Sequence, residues 1–486
     1  MIKKYIPLII VALVAIFASW PLLTPGFIPT HDGEYHIIRF YEFDKNIKAG
    51  IFFPRWAPGL NSGFGVPLFN FFYSLPNYVG EIWHILGFSF VDSFKLLMAV
   101  GIFLAAIFFY LWVRELFGEW PAVVGAVFYT LAPYHLVDVY VRGSPGEVWA
   151  LAFYPAILWA LERKSILAAI FLALLILSHN ILALIFLPFL ISYLIFRKFS
   201  IRYSVFSILL GLGLSCYFWL PALAESKYVT GLQIIDYSQH FPALFQLIFP
   251  SWGAGFSVPG IGDGMSFQIG IPHLLVIIAS LIYLRRKSFV IFCLAWLAII
   301  FVLLLEVSMP LWKLMPFMSF LQYPWRLLSL MVVITSFTAT TLVYLKKSKL
   351  LVVILIFLAL IFYGGYSRPV KYLPRSDDFY LSNPTWTDGT ATLGDSFNTI
   401  WLAGKKLTPT RNAIAYFRGW ELWVDDQKQE IDFSNGLIDF SKFVGEHRVE
   451  IKFVETPVRR LADTISILSL LFLLAMLIFK RRKKIK

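Results

Sequence analysis

The chain has 486 residues, of which 59% are hydrophobic and only 15% are charged. Soluble domains are about half apolar and about a quarter charged, so this composition excludes an ordinary soluble protein and indicates a polytopic membrane protein. The formal net charge of +13 does not indicate a nucleic-acid partner, because the basic residues cluster in short gaps between apolar runs, which is the positive-inside pattern.

Apolar runs of spanning length predict about twelve transmembrane helices. With both termini in the cytoplasm, strict alternation places every basic cluster on the cytoplasmic side of the plasma membrane. Cys216 and Cys293 fall inside apolar runs, where packed thiols are expected. The predicted helices lie near residues 5–23, 94–113, 120–136, 147–161, 165–178, 180–196, 203–222, 268–284, 289–306, 325–345, 349–363 and 461–479.

The same alternation sends several long segments to the extracytoplasmic side, beginning with a first loop at 24–93. Residues 364–459 have turn signals and runs in which apolar and polar residues alternate, which predicts a small antiparallel β domain that resembles a sandwich. The predicted organisation is a transmembrane module at 1–363, the extracytoplasmic β domain at 364–459, and a final helix with a basic cytoplasmic tail at 460–486.

The first loop carries a dense group of titratable residues directly after the first apolar run. His31, Asp32, Glu34 and His36 lie within six positions of each other. An acid in such a loop is often simply solvated, but neighbouring histidines can orient or tune a carboxylate. Asp32 is therefore the candidate base or cation ligand, and Glu34 is either a second acid or a solvated one.

Further polar residues come from the other extracytoplasmic segments. Asp138, Arg142 and Glu147 form one group, in which the arginine either binds a phosphate or pairs locally with Glu147. Arg55 stands beside an aromatic residue and has either a ligand-binding or a structural cation–π role.

Two more polar sites lie at the ends of apolar runs. His179 and Asn180 separate two such runs, where a polar pair is costly unless it has partners, so we expect either a functional site or a hydrogen-bonded turn. Trp325 and Arg326 open a helix from the extracytoplasmic side, where the arginine can meet a lipid phosphate or snorkel to the interface. The topology puts all these groups on one membrane face, which predicts a single polar cavity.

Several short motifs together resemble two related groups of membrane proteins. His31-Asp32-Gly33…His36, Pro54-Arg55-Trp56, Pro133-Tyr134-His135…Asp138…Arg142-Gly143…Glu147, His179-Asn180 and Pro324-Trp325-Arg326 resemble the prokaryotic membrane family labelled "6-pyruvoyl-tetrahydropterin synthase-related". Nothing in the sequence looks like a pterin enzyme. More broadly, an acid in the first outer loop, about a dozen helices and an extracytoplasmic C-terminal domain resemble the GT-C class of integral-membrane glycosyltransferases.

The resemblance implies inverting transfer of a sugar from a polyprenyl-phosphate-linked donor to a glycan, lipid or protein acceptor. Asp32 would be the general base. The implied roles of the other residues are donor-phosphate binding by Arg326, Arg142 and Arg55, and donor or acceptor binding by His31, His36, His179, Asn180 and Trp325. Some GT-C enzymes use a divalent metal such as Mg or Mn, which Asp32 with Glu34, Asp138 or Glu147 would hold.

Two other classes remain open from the sequence. A transporter or lipid flippase shares the helix number and the polar intramembrane residues, but the two halves of the chain show no convincing internal repeat. A non-enzymatic membrane assembly factor would leave the acid–arginine cluster unexplained. Walker, GxGxxG, CxxC and HExxH motifs are absent from the sequence, so ATPase, dinucleotide-binding and zinc-protease functions lack support.

Overall fold

The computed structural model describes residues 5–231, 235–387, 396–402, 413–443, 445 and 447–485. Most of these residues are helical, and the helices are numbered here in chain order. They are α1 (Ile6–Ser19), α2 (Gly33–Lys48), α3 (Leu68–Phe71), α4 (Leu75–Ile85), α5 (Phe90–Phe117), α6 (Glu119–Leu131), α7 (Pro133–Val137), α8 (Pro145–Glu162), α9 (Leu167–Ser178), α10 (Asn180–Phe196), α11 (Ile201–Leu214), α12 (Cys216–Glu225), α13 (Leu244–Ile248), α14 (Ile271–Tyr283), α15 (Ser288–Leu304), α16 (Met309–Leu314), α17 (Leu328–Lys346), α18 (Lys349–Tyr363), α19 (Asp377–Leu381), α20 (Pro384–Thr387) and α21 (Pro457–Ile485).

Every one of the twelve predicted apolar segments contains a helix, which confirms a mostly helical membrane protein. Within the described residues, five helices are long and apolar enough to cross a membrane, or up to eight if each bent pair counts as one span. The predicted span at 120–136 is divided by a 42° bend between α6 and α7, and the one at 203–222 by a 71° bend between α11 and α12. The predicted number of twelve spans is therefore not confirmed.

The helices differ strongly in how much protein surrounds them. The segment Pro324–Lys346, which includes α17, is 94% buried, whereas Pro457–Ile478 in α21 is only 17% buried. The 28-residue helix α5 packs against α6 and α8, and α17 packs against α6. Polar side chains at the ends of these central helices are consequently enclosed by protein rather than by lipid. Cys216 and Cys293 are buried free thiols, as predicted.

Two small antiparallel sheets lie near the C-terminus, in agreement with the predicted strands. Strand β1 (Ala413–Ala415) pairs with β4 (Leu437–Asp439), and β2 (Trp420–Val424) lies between β3 (Gln427–Gln429) and β5 (Val449–Phe453). Leu422 and Val424 are buried on β2 while their neighbours are less so, which is the expected alternation. The domain boundaries at 364 and 459 stay a prediction. The Asp388–Gly389 turn signal lies outside the described residues.

The first loop contains a helix that the sequence reasoning did not predict. Helix α2 is 16 residues long, begins directly after Asp32 and has one largely buried face. Its polar composition hides it from a search for apolar runs, although buried positions such as Ile37, Phe40 and Asp44 recur at helical spacing. Because Asp32 directly precedes this helix and Glu34 and His36 lie in it, the helix sets the directions in which these side chains point.

Candidate functional site

A break in helical geometry brings charged residues into the protein interior. Pro133 starts α7 after the bend, and Asp138–Arg142 form a π-helical turn that ends at Gly143 in the left-handed conformation, with φ of 63°. Pro145 then starts α8. π-turns inside helices occur often at functional sites. Here the turn brings the Arg142 side chain within reach of both Asp138 and Glu147.

Four charged side chains form a continuous buried network, which we call the Glu147 network. Arg142 Nη1 lies 2.6 Å from Asp138 Oδ1 and 2.7 Å from Glu147 Oε2, and Arg326 Nε lies 3.1 Å from Glu147 Oε1. The Tyr134 hydroxyl donates a 2.8 Å hydrogen bond to Glu147 Oε2. Both carboxylates are fully buried. Such burial is tolerated because two guanidinium groups balance the two acids.

Asp32 lies against this network through the backbone. The amide of His31 donates to the Val141 carbonyl at 3.0 Å, and the amide of Asp32 donates to the Arg142 carbonyl at 2.9 Å. The partly buried Asp32 carboxylate interacts electrostatically with Arg142. Within the described part of the chain, no side chain or backbone group makes a hydrogen bond or ion pair to that carboxylate. A general base must be held in position and must not be engaged by another side chain, and Asp32 meets both conditions within the described residues.

A wall of aromatic and imidazole rings continues the site from α2 toward α10. The Tyr73 ring lies 5.0 Å from the His179 ring and 6.5 Å from that of His36. His179 Nδ1 accepts a hydrogen bond from the Leu182 amide, so the neutral ring carries its proton on Nε2, which is 3.6 Å from Glu147 Oε1. His179 therefore both caps α10 and contacts the Glu147 network.

Burial changes the protonation of the groups beside Asp32. Burial and the neighbouring Arg39 guanidinium hold the pKa of His36 well below its usual value of 6.5, and Arg39 Nη1 lies 3.5 Å from His36 Nε2. Burial also lowers the pKa of His31 and raises that of Tyr73. The three side chains are consequently neutral hydrogen-bonding groups at neutral pH.

Residues 254–257 cover another side of the site. His31 Nε2 lies 3.1 Å from the Ala254 carbonyl oxygen, and its ring stacks on Phe256 at 4.3 Å between centroids. The Trp325 indole N–H donates to the Ser257 hydroxyl at 3.2 Å, and the Arg142 guanidinium lies 4.7 Å from the centroid of the Trp325 ring. Trp325 thus connects the covering segment to the Glu147 network.

Three predicted site residues have partners outside the Glu147 network. Arg55 is buried between α12 and α21, where it binds Asp463 Oδ1 at 3.1 Å and Glu455 Oε1 at 3.3 Å. Glu34 pairs with Arg375, and the Asn180 side chain accepts a local hydrogen bond from the Ile181 amide at 3.1 Å. Each of the three groups therefore has a structural partner, and the roles predicted for them in the site stay predictions.

Three of the four candidate metal ligands are paired with arginines. Asp138 and Glu147 are bound to arginines, and Glu34 is bound to Arg375. In the ranges that the structure describes, no group of three or more His, Cys, Asp or Glu side chains is placed to hold a metal ion. A cation would have to displace a guanidinium group that already neutralises these carboxylates.

Several residues of the site carry no assigned role in the sequence reasoning. Tyr134 belongs to the motif that contains Asp138, and Arg39 belongs to the same stretch as Asp32, so both positions were visible but not their contacts. Tyr73 and Gln322, whose Oε1 accepts from Arg326 Nη1 at 2.6 Å, have no pattern that singles them out. Tyr73 is one of many aromatic residues in its loop, so its position between His36 and His179 becomes apparent only in the folded structure.

The fold and the site define a polytopic membrane protein with a buried ionic site at broken helices. Residues 69–367 match the family described as "6-pyruvoyl-tetrahydropterin synthase related domain; membrane protein". The chain belongs to this family, which confirms the resemblance seen in the motifs.

Comparison with individual proteins gives more distant similarities. A Lactococcus lactis subsp. cremoris protein described as uncharacterized is 24% identical over 160 residues, which is 32% of this chain and 26% of that protein. The arabinofuranosyltransferase AftD from Mycobacteria is 14% identical, with a TM-score of 0.49 over 78% of this chain and 28% of AftD. The Archaeoglobus fulgidus oligosaccharyltransferase is 14% identical, with a TM-score of 0.47 over 78% of this chain and 57% of that protein. The chain therefore spans about a quarter to somewhat over half of the length of these proteins.

Proposed function

We propose that the protein is a GT-C-type glycosyltransferase that moves a sugar from a polyprenyl-phosphate-linked donor to an acceptor at the extracytoplasmic face of the membrane. The observation that carries this proposal is the Asp32 carboxylate. It is held beside the buried Arg142 guanidinium by the backbone bond to Arg142 and has no partner within the described residues. A free base next to fixed donors is the arrangement that inverting transfer from a phosphate-linked sugar needs.

In this proposal Asp32 accepts the proton of the acceptor hydroxyl. The acceptor oxygen attacks the anomeric carbon from the side opposite the phosphate, the bond between that carbon and the phosphate oxygen breaks, and the polyprenyl phosphate leaves with the electron pair. The configuration at the anomeric carbon is inverted. General-base catalysis of this kind contributes about 10²–10⁴-fold to a rate.

The leaving phosphate requires donors that are already oriented. Arg142 uses Nη1 for both of its carboxylates, and Arg326 uses Nε and Nη1 for Glu147, Leu321 and Gln322. The remaining N–H groups of these guanidinium groups make no hydrogen bond or ion pair to other described residues. We assign them to the phosphate oxygens, with the neutral His179 and His31 rings and Trp325 binding donor or acceptor beside them. Because the Glu147 network is neutral overall, oriented N–H donors rather than net charge stabilise the phosphate.

The proposal includes the orientation of the chain in the membrane. Both termini would lie in the cytoplasm, while Asp32 and the C-terminal sheets would face outward. The donor would enter the site from the bilayer. The Archaeoglobus fulgidus oligosaccharyltransferase has been solved in complex with an inhibitory peptide and a dolichol-phosphate; for this chain a lipid-linked donor rests on the site geometry alone.

The test is release of free polyprenyl phosphate by the purified full-length protein. It would be incubated with a panel of single-sugar polyprenyl phosphates and a lipid and glycan extract as acceptor source. We expect wild-type protein to release polyprenyl phosphate and the Asp32→Asn variant to lose at least about 100-fold of that rate. Asp426→Asn, which changes an exposed acid outside the site, serves as the matched control and keeps full activity.

Two outcomes would overturn the proposal. Full release by Asp32→Asn would remove Asp32 as the base. If the wild-type protein carries intact sugar lipids between the leaflets of liposomes without releasing polyprenyl phosphate, the protein is a transporter of the kind that the sequence left open.

A further inference from the structure

A cavity lies near the C-terminal sheets, and residues of the site described above do not line it. It has a volume of about 570 Å³ and lies where α12 ends, the three-stranded sheet begins and α21 starts. This volume is within the usual range for small-molecule sites, about 300–1,000 Å³. We call it the basic cavity, and the residues that define it are Lys227, Tyr228, Arg418, Trp420, Glu455 and Arg460.

The lysine and arginines of the basic cavity lack carboxylate partners, whereas each of its acids is paired with a basic side chain, although Glu455 Oε2 has no partner within the described residues. Lys227, Arg418 and Arg460 have no carboxylate within ion-pair distance in the described part of the chain. The acids that line the cavity are already bound by basic side chains: Glu225 by Arg459, Glu421 by Lys428, and Glu455 by Arg55. The cavity consequently attracts an anion.

Buried hydrogen-bond donors beside the cavity also lack acceptors. Arg459 is fully buried, and its Nε and Nη2 donate to Glu225 and to the Arg418 carbonyl, but its Nη1 has no partner among the described residues. That atom is next to Gly419, where an added Cβ would lie 2.9 Å from it. The Trp420 indole N–H likewise has no acceptor. Both donor atoms are enclosed by protein, so the groups that can contact a ligand in the cavity are the side chains that line it.

Aromatic rings give the cavity a second kind of surface. Tyr228, Tyr416 and Trp420 line it. The Tyr228 ring also lies 5.0 Å from the Arg418 guanidinium and 5.2 Å from the Lys227 ammonium. An aromatic ring offers an apolar face, and a sugar ring has a matching face of C–H groups surrounded by hydroxyls. Rings and cations together match a ligand with apolar faces and negative charge.

From this combination we propose that the basic cavity binds an acidic saccharide, with its carboxylates on Lys227, Arg418 and Arg460 and a sugar ring on Tyr228 or Trp420. The inference rests on the proposed function in one respect: the saccharide is the growing acceptor glycan, held by the C-terminal sheets while its end reaches Asp32. The substrate class of the enzyme is then an anionic glycan rather than a neutral one.

The experiment measures binding without turnover. The full-length Asp32→Asn variant in detergent micelles is titrated by calorimetry with tetragalacturonate as the acidic probe and maltotetraose as the neutral probe of equal length. We expect tetragalacturonate to bind at least about tenfold more tightly, and Arg418→Ala to weaken that binding by about tenfold while leaving maltotetraose unchanged. Lys227→Ala, a smaller change at the rim, should act in the same direction if Arg418→Ala does not fold.

The matched control is Arg448→Ala, which removes an exposed arginine paired with Glu450 outside the cavity and should leave both affinities within about twofold. Equal binding of the two probes, or no effect of either cavity variant, overturns the inference. Displacement of tetragalacturonate by phosphatidylglycerol nanodiscs and not by phosphatidylcholine nanodiscs would assign the cavity to an anionic lipid headgroup instead. If wild-type protein releases polyprenyl phosphate but tetragalacturonate does not bind, this inference alone is refuted. If tetragalacturonate binds but wild-type protein releases no polyprenyl phosphate, the transferase proposal is refuted.

Discussion

The Asp32 amide donates a 2.9 Å hydrogen bond to the carbonyl oxygen of Arg142. This bond joins the start of α2 to the end of the π-helical turn, two elements separated by more than 100 positions in the sequence. It means that the position of the Asp32 carboxylate depends on the backbone that also carries Arg142. The candidate base and the Glu147 network are therefore one structural unit.

Gly143 keeps these two elements in contact. Its φ is 63°, and a Cβ at this position would collide with Thr30 and lie 3.1 Å from the Gly33 amide nitrogen. We expect Gly143→Ala to push the two elements apart and to lower sugar transfer by about 10²-fold, because small misplacements of a base have effects of this size. Gly87→Ala has the same left-handed strain, with φ of 97° and no atom within 4 Å of the added Cβ, and should leave transfer unchanged. Equal activity of both variants would contradict the positioning role.

The Glu147 carboxylate pairs with both buried arginines of the site, Arg142 and Arg326. Replacing it by Gln would leave Arg142 and Arg326 buried with one carboxylate between them. We expect Glu147→Gln to lower the free energy of unfolding by about 3–5 kcal/mol, as is usual when one partner of a buried ion pair is removed. Thermal unfolding in detergent would measure this loss. Glu115→Gln, which breaks a partly exposed pair with Arg163, should cost at most about 1 kcal/mol. Equal effects would show that the buried network does not stabilise the fold.

Variants of Arg326 and Arg55 distinguish a loss of donor use from a loss of stability. Arg326→Lys keeps a positive charge beside Glu147 but loses the planar fork, so we expect kcat/KM for the donor to fall by about 10²-fold. The fall in kcat/KM for the acceptor should be smaller. Arg55→Lys is the matched control, because Arg55 is bound to Asp463 and Glu455. It should lower the unfolding temperature and leave donor use within about twofold. A larger effect on the acceptor than on the donor would overturn the role of Arg326.

The contrast between these two arginines shows what the sequence can predict. The predicted topology singled out Asp32, Asp138, Arg142, Glu147, His179 and Arg326 by placing them on one membrane face, and the structure brings the last five into contact. Arg55 has the same sequence context, yet its partners Glu455 and Asp463 lie about 400 positions away. Helix periodicity reports only local structure, so it cannot predict a contact between residues that lie so far apart in the sequence. The bends at α7 and α12 were missed for a related reason, since hydropathy measures composition and not helix direction.

His36 predicts a dependence of stability on pH. Its pKa in the folded protein is held well below 6.5 by burial and by Arg39, so the unfolded chain binds a proton at a higher pH than the folded protein does. The stabilisation is therefore present above about pH 6.5 and is lost as the pH falls below that value. We expect the unfolding temperature of the wild-type protein to fall between pH 7.5 and pH 5, and His36→Gln to reduce this fall. His447→Gln, at an exposed histidine, should retain the wild-type profile; an unchanged profile in His36→Gln would contradict the assignment.

We propose that Asp32, Arg142 and Arg326 share one site for a phosphate-headed lipid. The most direct measurement is a high-resolution cryo-electron microscopy map of the detergent-purified protein with added polyprenyl phosphate. We expect elongated lipid density that ends in a phosphate within hydrogen-bond distance of Arg142 or Arg326, with the Asp32 carboxylate facing the same phosphate. Lipid density that ends elsewhere, with the guanidinium groups bound only to Asp138 and Glu147, would contradict the transferase mechanism.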